Sequence, residues 1–426
     1  MEKKQWDIII IGGGLAGYVA ANYLAKANLS TLILEKSKEI GGRARTINKK
    51  GYLFNLGPHA LYRKGKAATI LGDLSIELKG RSPAGGGTIL YNQVDYLAPF
   101  SFLNVLRGSF LSIKERFDWI KVVTSFNRIN QSKVENQTFQ QWVEQTTASH
   151  RVQALIYALA RLATYCHAPE LVNARVVLSH LSLTSGGTLY LDGGWQQIMN
   201  QLHDKALLFN SMVQTDTTVT KLELNDQQQW QVETNNNETH VSNFVLYTGA
   251  PEHLQQVTNQ QLNSSIPPII PIKGAAYDIA LSTLPDRHEL FALDLTDSLY
   301  YSVHSTYAKL GHHNHIVLHL FKYLHPTEDK NTQKVKEELE QFLERLQPNW
   351  KQHVKASRFM PNITVNQRLP QLGEDHYFNN QETELPRLYV AGDWADPQLI
   401  LAEGAINSGK NAALEIIAKN QGGMQQ

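Results

Sequence analysis

Gly12, Gly14 and Gly17 follow directly on the apolar run Ile8-Ile9-Ile10-Ile11, and the carboxylate of Glu35 comes at the end of a second run, Thr31-Leu32-Ile33-Leu34. Glycines at this spacing let backbone N–H groups approach a phosphate closely, because no Cβ stands between chain and ligand. An acid delivered by the next strand accepts hydrogen bonds from a ribose 2′-hydroxyl, whereas it repels a 2′-phosphate. The chemistry these residues support is therefore the binding of a dinucleotide through its pyrophosphate and an unphosphorylated ribose. To position them the chain needs a strand over Ile8 to Ile11 buried on both faces, a tight glycine turn, and a helix from Leu15 to Ala27. Leu15 and Ala16 open that helix, where first-turn amides have no partner of their own.

The residues after Glu35 narrow the nucleotide. Lys36 leads into Gly41-Gly42-Arg43, and the segment from Glu35 to Arg45 resembles the second fingerprint of FAD enzymes in the superfamily of amine oxidases, phytoene desaturases and protoporphyrinogen oxidases. There a Gly-Gly-Arg turn adds donors around the FAD pyrophosphate; the glycines permit close approach and Arg43 offers a bidentate fork. Tyr52 to Ala60 resembles the strand and loop beside the isoalloxazine ring, with Gly57 and Pro58 flat against the flavin and His59 as the polar group next to it. His59 is the one catalytic candidate, with a structural hydrogen-bonding role as its alternative. At the other end of the chain, Leu388 to Trp394 reads as a buried strand ending in Gly392-Asp393, which in this superfamily holds ribityl and pyrophosphate oxygens. Ala402-Glu403-Gly404-Ala405 resembles the helix start that faces the flavin N1–C2=O edge, where a helix N-terminus favours negative charge. By the same resemblance Val213 lies where backbone contacts the adenine.

The resemblance implies an α/β fold: a doubly wound parallel FAD-binding sheet with a β-meander, similar to glutathione reductase, plus an interleaved α+β substrate domain. The expected alternation is nucleotide domain over 1–72, 191–264 and 363–426, and substrate domain over 73–190 and 265–362. A helix through Ile198, Leu202 and Leu207, then strands near Val219–Leu224, Trp230–Glu233 and His240–Leu246, predict the meander in the middle segment. The implied activity is a two-electron oxidation at carbon, a C–H hydride passing to flavin N5, on a phytoene desaturase-like or protoporphyrinogen oxidase-like substrate. Two alternatives stay open: a flavin amine oxidase, and a non-catalytic binding protein on the same fold. Many amine oxidases carry a lysine near flavin N5 on the strand leaving the substrate domain; Gly274 to Ala280 contains none, although Lys273 lies just before it.

Composition bounds the rest. The chain has 426 residues, enough for two domains, and its 40 basic against 39 acidic residues (net +1) offer no global attraction for nucleic acid. Cys166 is the only cysteine, so an intrachain disulfide and a covalent cysteinyl flavin are both excluded and noncovalent FAD is expected. No apolar leader precedes the first strand and no run of ~18 apolar residues occurs, so the expected location is the cytoplasm. The expected partners are a small apolar or conjugated substrate and an electron acceptor, oxygen, a quinone or another, among which the sequence does not choose. Phe100, Phe102, Phe110, Phe117, Trp119 and Phe126, and then Tyr277, Tyr300, Tyr301, Tyr307 and Phe321, read first as core. The sharper reading makes these segments an apolar access path, or with Arg107, Lys114, Arg116 and Lys121 a lip in weak peripheral contact with a membrane. His312, His313, His315 and His319 crowd one segment, but strand alternation sends neighbours to opposite faces, and no metal site is expected.

Overall fold

Ile8, Ile9 and Ile10 are fully buried in strand Gln5–Ile11, and alternate residues enter different cores: Ile8 and Ile10 pack with the helix Leu15–Lys26, Ile9 and Ile11 with Trp230, Val245 and Trp394. Burial on both faces is the condition for a parallel strand between two layers. The computed structural model describes residues 5–129, 134–209, 211–259, 262, 266, 269–311, 315–328 and 331–423. In the first sheet Met212–Gln214, Thr31–Leu34, Gln5–Ile11, Thr239–Tyr247 and Leu388–Val390 run parallel, drawn from three distant parts of the chain. Val219–Leu224, Trp230–Thr234 and Thr239–Tyr247 form the antiparallel meander. The architecture is the α/β nucleotide-binding fold that the glycine spacing called for.

The second sheet has seven strands in the order Val354–Asn366, Ile272–Leu281, Ile316–Leu324, Leu299–Ser302, Phe291–Asp294, Thr88–Tyr91 and Val94–Leu97. It is antiparallel except between Phe291–Asp294 and Thr88–Tyr91. Its two faces differ. Ala275, Tyr277, Ile279 and Leu281 pack with Leu339, Phe342 and Leu343 of helix Thr332–Leu346, while Ala276 and Phe321 belong to a core shared with the helices between residues 102 and 184. Strand Val354–Asn366 runs past residue 362, where the sequence suggested a change of domain, because its last residues still pair with Ile272–Gly274.

The aromatic segments divide three ways. Phe110, Trp119 and Phe126 are core as expected. Tyr277 and Tyr301 are core as well, on the helix-covered face of the sheet, which is the first of the two readings and not the access path. Phe102 and Phe117 are neither core nor tunnel: they are 68% and 71% exposed. With Leu103, Leu106, Ile113 and Leu97 they make an exposed apolar patch, held together by Arg116, whose guanidinium donates to the carbonyls of Leu106, Gly108 and Leu111 and fastens helix Phe102–Arg107 to helix Ile113–Ser125.

Candidate FAD and substrate site

The glycine turn forms because nothing else fits. Gly12 has φ +114°, and a Cβ there would stand 2.5 Å from Thr248 Oγ1; a Cβ on Gly17 would meet the Gly12 carbonyl at 2.1 Å. A Cβ on Gly14, by contrast, would meet nothing within 4 Å, and Gly42 faces the same space, its own Cβ position 3.7 Å from Gly14 Cα. Gly14 and Gly42 thus line an open groove at the N-terminus of helix Leu15–Lys26, a cradle of the kind a pyrophosphate fills. The Gly41 amide donates to the Gly13 carbonyl at 2.8 Å, which locks the two glycine turns together. Ala16 is packed beneath the groove, a Cβ on Gly409 standing 2.5 Å from its carbonyl oxygen, whereas Leu15 is only partly buried.

Glu35 ends strand Thr31–Leu34 and is 6% exposed. Its two carboxylate oxygens accept the amides of Gly13 (2.7 Å) and Ser37 (2.8 Å). The carboxylate is therefore fixed beside the glycine turn, and each oxygen keeps a lone pair for a ribose hydroxyl. Val213 pairs with Ile33 on the adjacent edge strand, and the Glu35 amide donates to Gln214, so both border the same end of the sheet. Lys36 is exposed at the rim.

Arg43 has a protein partner at this site. Its fork binds Asp393 in bidentate fashion at 2.5 and 2.7 Å, and its Nη1 also donates to the Val365 carbonyl. The Asp393 carboxylate, 2% exposed, additionally accepts the Gln367 amide, so most of its lone pairs serve the protein. The pair ties the second fingerprint to the chain's last strand, and the Arg43 side chain still keeps 42% of its surface open. Gly392 has φ +146° and its amide donates to Ser408. At the C-terminal helix, Leu401–Gly423, the Gly404 amide bonds the Ile400 carbonyl and the Leu401 amide bonds Asn366 Oδ1, so the remaining first-turn donors are Ala402 and Glu403. The Glu403 side chain turns away from the groove: its carboxylate accepts the Ala67 amide at the start of helix Lys66–Asp73 and is 2% exposed. Gly404 is required by packing, since a Cβ would stand 2.5 Å from the Leu399 carbonyl, and Ala405 is partly buried against the nucleotide-domain core.

Gly57 has φ +89°, and its Cβ position lies 3.3 Å from Ile363 and 3.5 Å from the Ala276 Cβ, so the flavin-side loop sits directly on the second sheet. The Pro58 carbonyl accepts the Tyr165 hydroxyl at 2.6 Å. His59 lies between two carbonyls, Gly57 (2.9 Å from Nδ1) and Arg43 (3.2 Å from Nε2); burial pushes its pKa down, with the nearby His319 adding to the effect, and the neutral ring donates to one of the two. These contacts fix its ring beside the Gly57 loop.

Behind His59 the structure assembles a polar cluster that the sequence did not single out. His319 and Asp278 face each other on neighbouring strands at 2.6 Å, both fully buried. The His304 ring lies 4.4 Å from that of His319; its Nε2 pairs with the Tyr300 hydroxyl (3.0 Å), and Tyr190 stacks on it at 3.9 Å. Burial, then the neighbouring imidazoles, depress His304 well below the usual histidine range. The one available signal was an aspartate in the otherwise apolar run Gly274 to Leu281; its partner is set by strand register, which no local pattern reveals. Of the four crowded histidines, His312 and His313 lie outside the described residues, His315 packs on Tyr52 at 4.7 Å, and His319 belongs to this cluster. Among the described residues no group of three metal-ligating side chains converges.

Residues 15–417 match the family described as flavin containing amine oxidoreductase. The chain belongs to this family. It is an FAD-dependent oxidoreductase, and the Gly14–Gly42 groove, Glu35 and the Ala402 turn fit the cofactor. Similar proteins include the coproporphyrinogen III oxidase of Bacillus subtilis (strain 168), 33% identical over 107 residues, 23% of this chain and 23% of that protein. The carotenoid 3,4-desaturase of Haloarcula japonica is 42% identical over 52 residues, 12% of this chain and 10% of that protein. The matched regions thus span less than a quarter of these relatives' lengths. A Methanosarcina mazei oxidoreductase has the same fold, with a TM-score of 0.77 at 16% identity, covering 97% of this chain and 100% of the other.

Proposed function

We propose that this oxidoreductase removes two electrons from a C–H bond of an apolar or conjugated substrate, in the manner of the desaturases and porphyrinogen oxidases of its family. The observation that carries the reading is the wall opposite Gly57. The sheet face that touches this loop presents the uncharged Gly274, Ala276, Phe321 and Ile363, and its one carboxylate, Asp278, is fully buried against His319 at 2.6 Å. Lys273 falls on the opposite parity of strand Ile272–Leu281, with Ala275 and Tyr277 on the helix-covered side, so the lysine of many amine oxidases has no counterpart facing the loop. A protonated amine against Gly274, Ala276, Phe321 and Ile363 loses its hydration without gaining a partner among them, and the Asp278 carboxylate is buried in its bond with His319, whereas an alkene or a flat conjugated ring loses little.

FAD supplies the electron acceptance; the chain's own part is to bind, orient and keep water out. Phe321 fills the space that a side chain on Gly274 would take, and Ala276 packs directly against the Gly57 loop. Phe321, against Tyr165 at 5.2 Å between ring centroids, closes one side. The Ala402 and Glu403 amides, in the first turn of helix Leu401–Gly423, would favour negative charge on a cofactor edge held there. Under anaerobic conditions the bound flavin should bleach with a polyene or a porphyrinogen and stay oxidised with small primary amines. Bleaching by a monoamine or polyamine alone would replace this reading with that of an amine oxidase.

The exposed patch supports a second element of the proposal, a lipid surface as the place where such a substrate is met. Phe102, Leu103, Leu106, Ile113 and Phe117 are each at least 49% exposed, and the exposed cations Arg107, Lys114 and Lys121 flank them. Apolar side chains ringed by cations match the interface of an anionic bilayer.

A further inference from the structure

His59 faces more acceptors than it can serve. Its Nδ1 lies 2.9 Å from the Gly57 carbonyl and its Nε2 lies 3.2 Å from the Arg43 carbonyl. A neutral imidazole carries one N–H, so one ring nitrogen meets a carbonyl oxygen lone pair to lone pair, whereas an imidazolium donates at both. The hydrogen bonding of the ring is therefore complete only when it holds a second proton. The fold fixes both carbonyls: Gly57 has φ +89° against the second sheet, and Arg43 is fastened by its bidentate pair with Asp393. The ring packs edge-on to Trp195, 5.3 Å between centroids, and keeps part of its surface open.

A counter-charge for that proton is already in place. Asp278 gives one carboxylate oxygen to His319 Nδ1 at 2.6 Å, and its other oxygen is buried with no hydrogen-bond partner among the described residues. This carboxylate favours positive charge on His59. The other groups around the ring set the limit. The His319 imidazole disfavours a charge on His59, and Arg358, opposite Asp278 in the strand register, draws on the same carboxylate. His304 pairs with the Tyr300 hydroxyl and is kept neutral by burial, and the Arg43 guanidinium is neutralised by Asp393. Tyr165, whose hydroxyl donates to the Pro58 carbonyl, stays protonated because burial raises it. Burial, the largest influence on His59, leaves the ring neutral until negative charge arrives beside it. An opposite charge within ~4–6 Å favours the charged form of a titratable group.

We propose that His59 is a redox-linked proton site: it takes up one proton when a cofactor lying against the Gly57 loop gains two electrons, and gives it up on reoxidation. The inference rests on the flavin lying against this loop, and it goes beyond the apolar-substrate reading by assigning the second proton of the reaction. Forming one π bond from two C–H bonds releases two electrons and two protons. Hydride carries both electrons and one proton to FAD. The other proton ends on the His59 imidazole, which then donates to the Gly57 and Arg43 carbonyls together, and transfer of the electrons to the acceptor frees it again.

The test needs no substrate. The holoenzyme is reduced anaerobically with dithionite against a reference dye, and its midpoint potential is followed from roughly pH 6.5, the ordinary histidine value, upward. Uptake of two protons with two electrons changes the reduction equilibrium about 100-fold per pH unit, about 59 mV; uptake of one proton changes it about tenfold, about 30 mV. Wild type should follow the steeper line and break to the shallower one at the pH where His59 in the reduced enzyme no longer holds its proton. His59→Gln, which keeps a donor and takes no proton, should follow the shallower line throughout. Asp278→Asn, which removes the counter-charge, should move the break to lower pH. The absorbance of the reduced enzyme should stay constant along the steep line; a change in step with the slope puts the second proton on the cofactor and overturns the proposal. A wild-type line that is shallow throughout, or equal slopes in wild type and His59→Gln, overturns it as well. Should His59→Gln not retain FAD, the wild-type slope, its absorbance and the Asp278→Asn break decide the question. The failures are distinguishable: a potential unchanged by His59→Gln at every pH removes the flavin from this loop, whereas a shifted potential with an unchanged slope removes the proton role alone. Neither bears on the substrate, which the bleaching experiment decides.

Discussion

Glu35→Gln tests whether the acid after the second strand is a ribose acceptor or only a brace for the glycine turn. In the structure both carboxylate oxygens are already engaged, one with the Gly13 amide at 2.7 Å and the other with the Ser37 amide at 2.8 Å. Glutamine has one carbonyl oxygen and one NH2, so one backbone amide must face another donor. At 6% exposure the loss is not relieved by water. A hydrogen bond to a charged group contributes ~1.5–3 kcal/mol. Loss of one such bond to the nucleotide corresponds to a fall of roughly 10- to 100-fold in FAD affinity. The assay is FAD rebinding to the apoprotein followed by flavin fluorescence, with ADP and 2′-deoxy-ADP as competitors. If Glu35 accepts the 2′-hydroxyl, wild type prefers ADP, Glu35→Gln does not, and the coupling from the double cycle is ~1 kcal/mol or more. FAD affinity within twofold of wild type, or an identical ADP preference in both proteins, would refute the ribose contact.

Three further outcomes follow from particular contacts. Acid precipitation should release all the flavin, because Cys166 is buried and its thiol is pushed up to about 12; flavin retained in the pellet would show a covalent link through another residue. His180 is fully buried, its Nε2 accepts the Ile400 amide at 3.2 Å, and burial holds its pKa down at about 4, against 6.5 when exposed. A native value below the unfolded one means that its contribution is complete above pH ~6.5 and is lost as the pH falls toward 4, at ~1.4 kcal/mol per unit. Urea unfolding should therefore show ~2 kcal/mol less stability from this group at pH 5 than at pH 7, and His180→Gln should flatten that part of the profile; parallel profiles would remove His180 as its source. Phe102→Ser with Phe117→Ser should abolish flotation with vesicles containing anionic lipid and leave FAD content unchanged, while flotation equal to that of wild type would discard the patch as a lipid surface.

What the sequence determined by itself is the part of the protein in which function is carried by backbone. A phosphate cradle needs glycines at fixed spacing after an apolar strand, and Gly12, Gly14, Gly17 and Gly42 show that requirement in one dimension. The same holds for the meander, where alternation over Val219–Leu224 and Trp230–Thr234 is local. Tertiary structure decided where side chains spend their charges. Arg43 and Asp393 look like two separate ligands of a cofactor until the fold brings them together at 2.5 Å, 350 residues apart in the chain. Glu403 reads as part of a flavin-facing helix start, but its side chain follows the space available and caps helix Lys66–Asp73 instead. Strand parity separates Lys273 from Ala276, and strand register sets Asp278 against His319.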